Sequence, residues 1–177
     1  MKKIKILCAD GLEECEALII YDLLTRANID VKLVNIHNKE NIISSHNLNF
    51  KTQENIDDLK EYDGIVLPGG LKGVENLRSN NKVLNLIKQA SNTNKLIASI
   101  CAAPDILKEV NLVGDGQFTC YPGCDYHGKA KKDDLVIKDN IITAKALGAS
   151  FKLAFEIIKY LSNKEDAQNI FNQIYYH

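Results

Sequence analysis

The chain carries no excess of charge of either sign: 22 Lys and Arg stand against 23 Asp and Glu, for a formal net charge of −1. No stretch is strongly basic, so the electrostatic footprint of a nucleic-acid binder is missing and no such partner is expected. Long apolar runs are missing as well. Nothing approaches the roughly 18 consecutive apolar residues that span a bilayer, and no membrane partner is expected. The N-terminal run Ile4-Lys5-Ile6-Leu7-Cys8-Ala9 is too short for the apolar region of a secretory signal and no cleavage site follows it. A cytoplasmic location follows as the expectation, and thiols there stay reduced. The cysteines also fall short of a framework. There are five (Cys8, Cys15, Cys101, Cys120, Cys124), an odd count that does not suit complete disulfide pairing. Cys120 and Cys124 enclose three residues with no second ligand pair, so no metal is expected, and no cofactor either. Most of these thiols read as small core hydrophobes.

What is present suits a soluble globule. The 177 residues are 45% apolar and 25% charged, which fits one domain over 1–177. Short apolar runs alternate with helical patterns. Residues 3–9 read as a buried strand, and acids at Glu13, Glu14 and Glu16 mark the start of a helix. Ala17, Leu18, Tyr21, Leu24 and Ala27 then recur at helical spacing, and Asn28 can end the helix at positive φ. Strands are predicted at 31–36, 65–67 and 96–100, with a small hairpin over 42–50 and a second one folded about Asp139-Asn140. Helices are predicted at 83–90 (Leu84, Ile87 and Ala90 on one side), 151–161 and 164–177. Strands separated by helices imply an α/β, doubly wound, mostly parallel sheet with helices on both faces.

In open sheets of this kind ligands bind at the carboxyl ends of the strands. Three features fall at such ends: the acids at 13–16, the Pro68-Gly69-Gly70 breaker, and Cys101. Cys101 follows the most apolar run, and Ala102-Ala103-Pro104 begins like a helix, with proline tolerated in the first turn. Two readings stand on spacing alone. Cys101 is either a buried core cysteine or a nucleophile whose thiolate is favoured by helix amides, which lower such thiols to about 4–7. Gly69-Gly70 is either a plain turn or a pair of unobstructed N–H donors for an oxyanion. The acids are either a solvated helix start or include one carboxyl held protonated beside the thiol. His37, His46, His127 and His177 show no metal spacing and read as surface residues, and Asp22 with Arg26 reads as an exposed i,i+4 pair.

Four of these segments, in order, resemble the ThiJ/PfpI superfamily, in the branch that holds the parkinsonism-associated deglycase and its YajL-like bacterial relatives. They are Gly11-Leu12-Glu13-Glu14-Cys15-Glu16, Ile65-Val66-Leu67-Pro68-Gly69-Gly70, the turn around Ile100-Cys101-Ala102-Ala103-Pro104, and Gly148-Ala149-Ser150-Phe151. The resemblance covers residues 3–161. It implies a flavodoxin-like fold, a homodimer, Cys101 as nucleophile, Glu16 as the glutamate bonded to its sulfur, and an oxyanion environment from Gly69, Gly70 and Ala102. It also implies activity on reactive carbonyls or glycated groups (methylglyoxal or its early adducts to lactate), or alternatively redox sensing through a sulfinate at Cys101. A dimer also draws on the apolar face of the first helix at Ala17, Ile20 and Leu24. Two departures stand out. Tyr121 precedes Pro122 where the branch carries His, and a phenol, with an ordinary pKa of about 10, is no neutral-pH base; Tyr121 is kept as a substrate-binding candidate. Ala102 follows Cys101 where the peptidase branch has His, which removes a Cys-His dyad at that position.

Overall fold

The computed structural model describes residues 1–176; His177 lies outside the described residues. The elements in chain order are β1 (Lys3–Cys8), α1 (Glu14–Arg26), β2 (Asp30–Asn35), β3 (Asn41–Ile43), β4 (Asn49–Lys51), β5 (Glu54–Asn55), β6 (Gly64–Leu67), α2 (Leu71–Arg78), α3 (Asn81–Asn92), β7 (Leu96–Ile100), α4 (Pro104–Glu109), β8 (Leu135–Lys138), β9 (Ile141–Ala144), α5 (Ser150–Leu161) and α6 (Lys164–Gln173). Seven strands form one sheet in the order β5-β2-β1-β6-β7-β9-β8, and β3 pairs with β4 in a separate ribbon. All pairings in the large sheet are parallel except β8 with β9. The five inner strands, β2-β1-β6-β7-β9, have the flavodoxin-like order, which reverses at β1.

Because side chains alternate across a strand, each strand feeds two cores. Ile4, Ile6 and Cys8 of β1, Val66 of β6, and Ala98 and Ile100 of β7 pack with residues of α1, α5 and α6. Leu7, Ile65, Leu67 and Ile97 point the other way, into a cluster with residues of α2, α3 and α4. Near-continuous burial of β6 and β7 is what a parallel sheet covered on both faces requires. Among the described residues no helix is long and apolar enough to cross a membrane.

Several expectations need correcting. Leu18 is 37% exposed, while Glu16, one turn from Ile20, is 1% exposed. The inward face of α1 therefore carries an acid among Ala17, Ile20 and Leu24. Those three apolar residues are fully buried within the chain, so they offer no surface to a second copy. In α3 the buried residues are Val83, Leu86, Ile87 and Ala90, with Leu84 only partly buried. Asn28 does take positive φ, at 57°, and the Asp22–Arg26 pair forms on the exposed surface at 2.7 Å.

Candidate active site

The sheet order makes β1, β6 and β7 neighbours, so the segments following them meet at one edge. The Glu13 side chain accepts from the Cys15 N–H and caps α1, which turns Glu16 inward. The Glu13 N–H donates to the Gly69 carbonyl at 3.0 Å, joining the loop after β1 to the loop after β6. Gly70 sits at φ +86°, where an added Cβ would also meet Glu13 N at 2.6 Å. Only glycine lets these loops close on each other.

Cys101 has φ +63°, in the left-handed region that costs an L-residue free energy. Its backbone is held on both sides: its N–H donates to the Ala144 carbonyl at 3.0 Å, and the Tyr121 N–H donates to its carbonyl at 2.7 Å. The turn aims the sulfur at Gly69. An imagined Cβ on Gly69 would lie 2.5 Å from Glu16 Oε2 and 3.0 Å from Cys101 Sγ, so carboxyl and thiol converge on the space that the missing side chain leaves. The Gly69 N–H donates to Glu16 Oε2 at 2.8 Å. The Gly70 and Ala102 N–H groups lie beside the sulfur and favour its charged form. The structure thus brings Cys101, Glu16, Gly69, Gly70 and Ala102 together, with the half-exposed ring of Tyr121 beside them on the wall of an open cleft of about 910 Å³.

The electrostatics correct one expectation. Burial first, then the charge of Glu16, pushes the Cys101 thiol up to about 12, outweighing the Gly70 and Ala102 amides. The helix α4 is only six residues long and begins three residues after Cys101, which limits its pull on the sulfur. Burial likewise raises Glu16 from 4.5 to about 7, against the Gly69 N–H. The two groups compete for charge in one desolvated spot, so as pH rises through neutrality Glu16 releases its proton first and the pair is left holding one between them. The proximity of carboxyl and sulfur lets a proton pass between them.

Sequence spacing missed His46. The β3–β4 hairpin carries it to the cleft, where Nδ1 lies 2.8 Å from Glu14 Oε1 and 3.8 Å from Glu13 Oε2; the Ser45 hydroxyl bonds both acids. More than thirty residues separate these partners, so no local pattern reveals them. His37 is partly buried and accepts the Asp10 N–H at 3.0 Å. The exposed ring of His127 pairs with the fully buried Asp105 at 2.6 Å, which Arg78 also contacts at 2.8 Å. Cys8, Cys120 and Cys124 are buried as expected, whereas Cys15 is exposed.

A flavodoxin-like α/β protein with a cysteine on a strained strand-to-helix turn, bonded to a buried glutamate, is the class these features define. Comparison with known proteins narrows it: the model of the DJ-1/PfpI family matches residues 2–160, and the chain belongs to that family. It is 29% identical to the Parkinson disease protein 7 homolog of Danio rerio and 30% identical to Protein dj-1beta of Drosophila melanogaster, covering 96% of this chain and 94% of each relative. Protein DJ-1 homolog B of Arabidopsis thaliana is 32% identical over 89% of this chain, but the chain spans only 37% of that relative's length. The solved structure described as Toxoplasma gondii DJ-1, oxidized, superposes with a TM-score of 0.94 at 27% identity, over 99% of both chains.

Proposed function

We propose that this chain is a single-domain, cysteine-dependent enzyme acting on reactive carbonyls, of the glyoxalase or deglycase type. The observation that carries this reading is the convergence of Glu16 Oε2 and Cys101 Sγ on the space beside Gly69, at the floor of an open cleft. Sulfur attacks the aldehyde carbon of methylglyoxal, and the new alkoxide oxygen takes the proton held by Glu16, giving a hemithioacetal. The N–H groups of Gly70 and Ala102 suit the negative oxygen of that addition. The Glu16 carboxylate then removes the proton from the former aldehyde carbon and returns it to the adjacent carbon, while the hydroxyl proton of the hemithioacetal passes to the former ketone oxygen, leaving a lactoyl thioester. Water cleaves the thioester, releasing lactate and restoring the thiol. Net, one methylglyoxal and one water become lactate and a proton, with no outside oxidant or reductant. Tyr121 acts as a wall for substrate, since the proton traffic runs through Glu16.

Lactate release by the purified chain tests this. Wild type should produce lactate from methylglyoxal and Cys101→Ala should not; equal production by both would remove Cys101 from the chemistry.

A second reading has its own support. The Toxoplasma gondii relative is described as oxidized, and a thiol in this setting can climb to sulfinic acid, two peroxides being consumed and two waters released. On that reading Cys101 senses oxidants and Glu16 holds the sulfinate. For either reading we infer a homodimer in the cytoplasm, on the strength of the family resemblance.

A further inference from the structure

The cleft is much larger than methylglyoxal needs. Its volume of about 910 Å³ is near the upper end for sites that take drug-sized ligands. Its mouth is also unusually apolar for a water-facing surface. Leu71, Tyr121, Tyr126 and Leu147 are exposed by 65%, 50%, 67% and 42%, and all four line this one cleft. They come from separate stretches of the chain: Leu71 opens α2, Tyr121 is tied by its N–H to Cys101, Tyr126 lies beside Cys124 in the loop that follows, and Leu147 follows β9. Large hydrophobics left in water from four directions around a reactive thiol are the mark of a binding surface. The charges lining the cleft narrow the ligand further. Glu13 and Glu16 face it, whereas its two basic side chains are engaged: Lys72 with Glu75 at 3.0 Å and His46 with Glu14 at 2.8 Å. An anionic carbonyl compound therefore finds acids and no unengaged cation among the described residues.

We propose that the cleft selects uncharged 2-oxoaldehydes that bear an aromatic ring, the ring packing against Leu71, Tyr121, Tyr126 and Leu147 while the aldehyde meets Cys101. This rests on the reading of Cys101 as the nucleophile that attacks carbonyls. The reaction keeps its balance: the aryl 2-oxoaldehyde and one water become the 2-aryl-2-hydroxyacetate and a proton, with the same hydrogen moving between the two carbons. An apolar group the size of one methylene is worth roughly 10–200-fold in selection, so a whole ring should exceed the lower figure.

Two measurements separate this inference from the enzyme reading. The first compares alkylation of Cys101 by N-benzyl iodoacetamide and by iodoacetamide, each rate divided by that with free N-acetylcysteine and the site confirmed by peptide mapping. The second compares kcat/KM for phenylglyoxal and methylglyoxal. Wild type should favour the ring-bearing reagent at least tenfold in both, and Leu71→Ala with Tyr126→Ala should bring both ratios towards one. Both substitutions are at exposed positions, and thermal unfolding confirms that the variant is folded. An alkylation ratio near one in wild type overturns the inference whatever the turnover, and a ratio undiminished in the double variant overturns the assignment of these walls. A high alkylation ratio with neither oxoaldehyde consumed sustains the aromatic pocket and sinks the carbonyl enzyme.

Discussion

Gly69→Ala is the substitution that interrogates the site most directly. Gly69 is not at positive φ, so alanine meets no backbone strain there. The methyl group would instead enter the gap between the carboxyl and the cysteine, 2.4 Å from Cys101 Cβ, 2.5 Å from Glu16 Oε2 and 3.0 Å from Cys101 Sγ. To reach an ordinary separation of 3.4 Å, Cys101 Cβ must retreat by about 1.0 Å and the carboxyl by about 0.9 Å. A displacement of that size costs on the order of 10²-fold in a reaction that depends on near-attack geometry. The retreat also stretches the 2.8 Å bond from the Gly69 N–H. Overpacking of this kind costs about 1–3 kcal/mol of stability, which a folded domain survives. The expected result is a folded protein with roughly 10²-fold lower kcat/KM for 2-oxoaldehydes and an altered pH profile of Cys101 alkylation. Wild-type turnover together with a wild-type profile would show that Glu16 and Cys101 do not act across Gly69.

Glu16→Gln and Glu16→Leu should both lose carbonyl turnover, by about 10²–10⁴-fold, because neither can exchange a proton. If redox sensing is the role, intact mass after mild peroxide should show sulfinate in Gln, which still donates a hydrogen bond, and not in Leu. The raised pKa of Glu16 also fixes a pH dependence of stability. Between about 4.5 and 7 the folded state keeps a proton that the unfolded state releases, so stability is full below 4.5 and falls as pH rises through 7. The loss is on the order of 3 kcal/mol, and denaturant midpoints across that window should decline in wild type but not in Glu16→Gln. Sedimentation should give about twice 19.8 kDa; a monomer across micromolar concentrations would remove the dimer.

Local signals in the sequence were enough to place what depends on local geometry. Asp139-Asn140 marked a hairpin because its turn needs a residue tolerant of positive φ, and Asp139 adopts φ 54°. The order of buried strands gave the sheet edge, and with it the acids at 13–16, the glycine pair and Cys101; the choice of Glu16 among the acids came from the family resemblance alone. Features set by distant contacts stayed hidden. α2 carries Gly73 in mid-helix and repeats Leu71, Val74 and Leu77 over only eight residues, and β5 is two residues long, so the signal each leaves is short. The inward turn of Glu16, which accepts the Gly69 N–H, breaks the apolar stripe that Leu18 would otherwise complete. The positive φ of Cys101 has no signature, since cysteine rarely adopts it. The thiol's acidity was misjudged for a related reason: the amides are local and legible, whereas the desolvation that outweighs them comes from the assembled loops.

That hidden strain also explains how the site is built. A non-glycine residue in the left-handed region costs about 1–3 kcal/mol, and it persists only where its surroundings over-determine it. Here a fully buried strand precedes the turn, β9 accepts the Cys101 N–H, and the segment at Tyr121 donates to its carbonyl. A relaxed turn would have to break both bonds and leave a buried carbonyl unpaired, which costs as much as the strain itself. The Cys101 sulfur therefore stays aimed at Gly69 without any rigidity of its own. The same clamp couples the wall of the cleft to its floor: Tyr121 holds the cysteine through its backbone while its side chain lines the cleft.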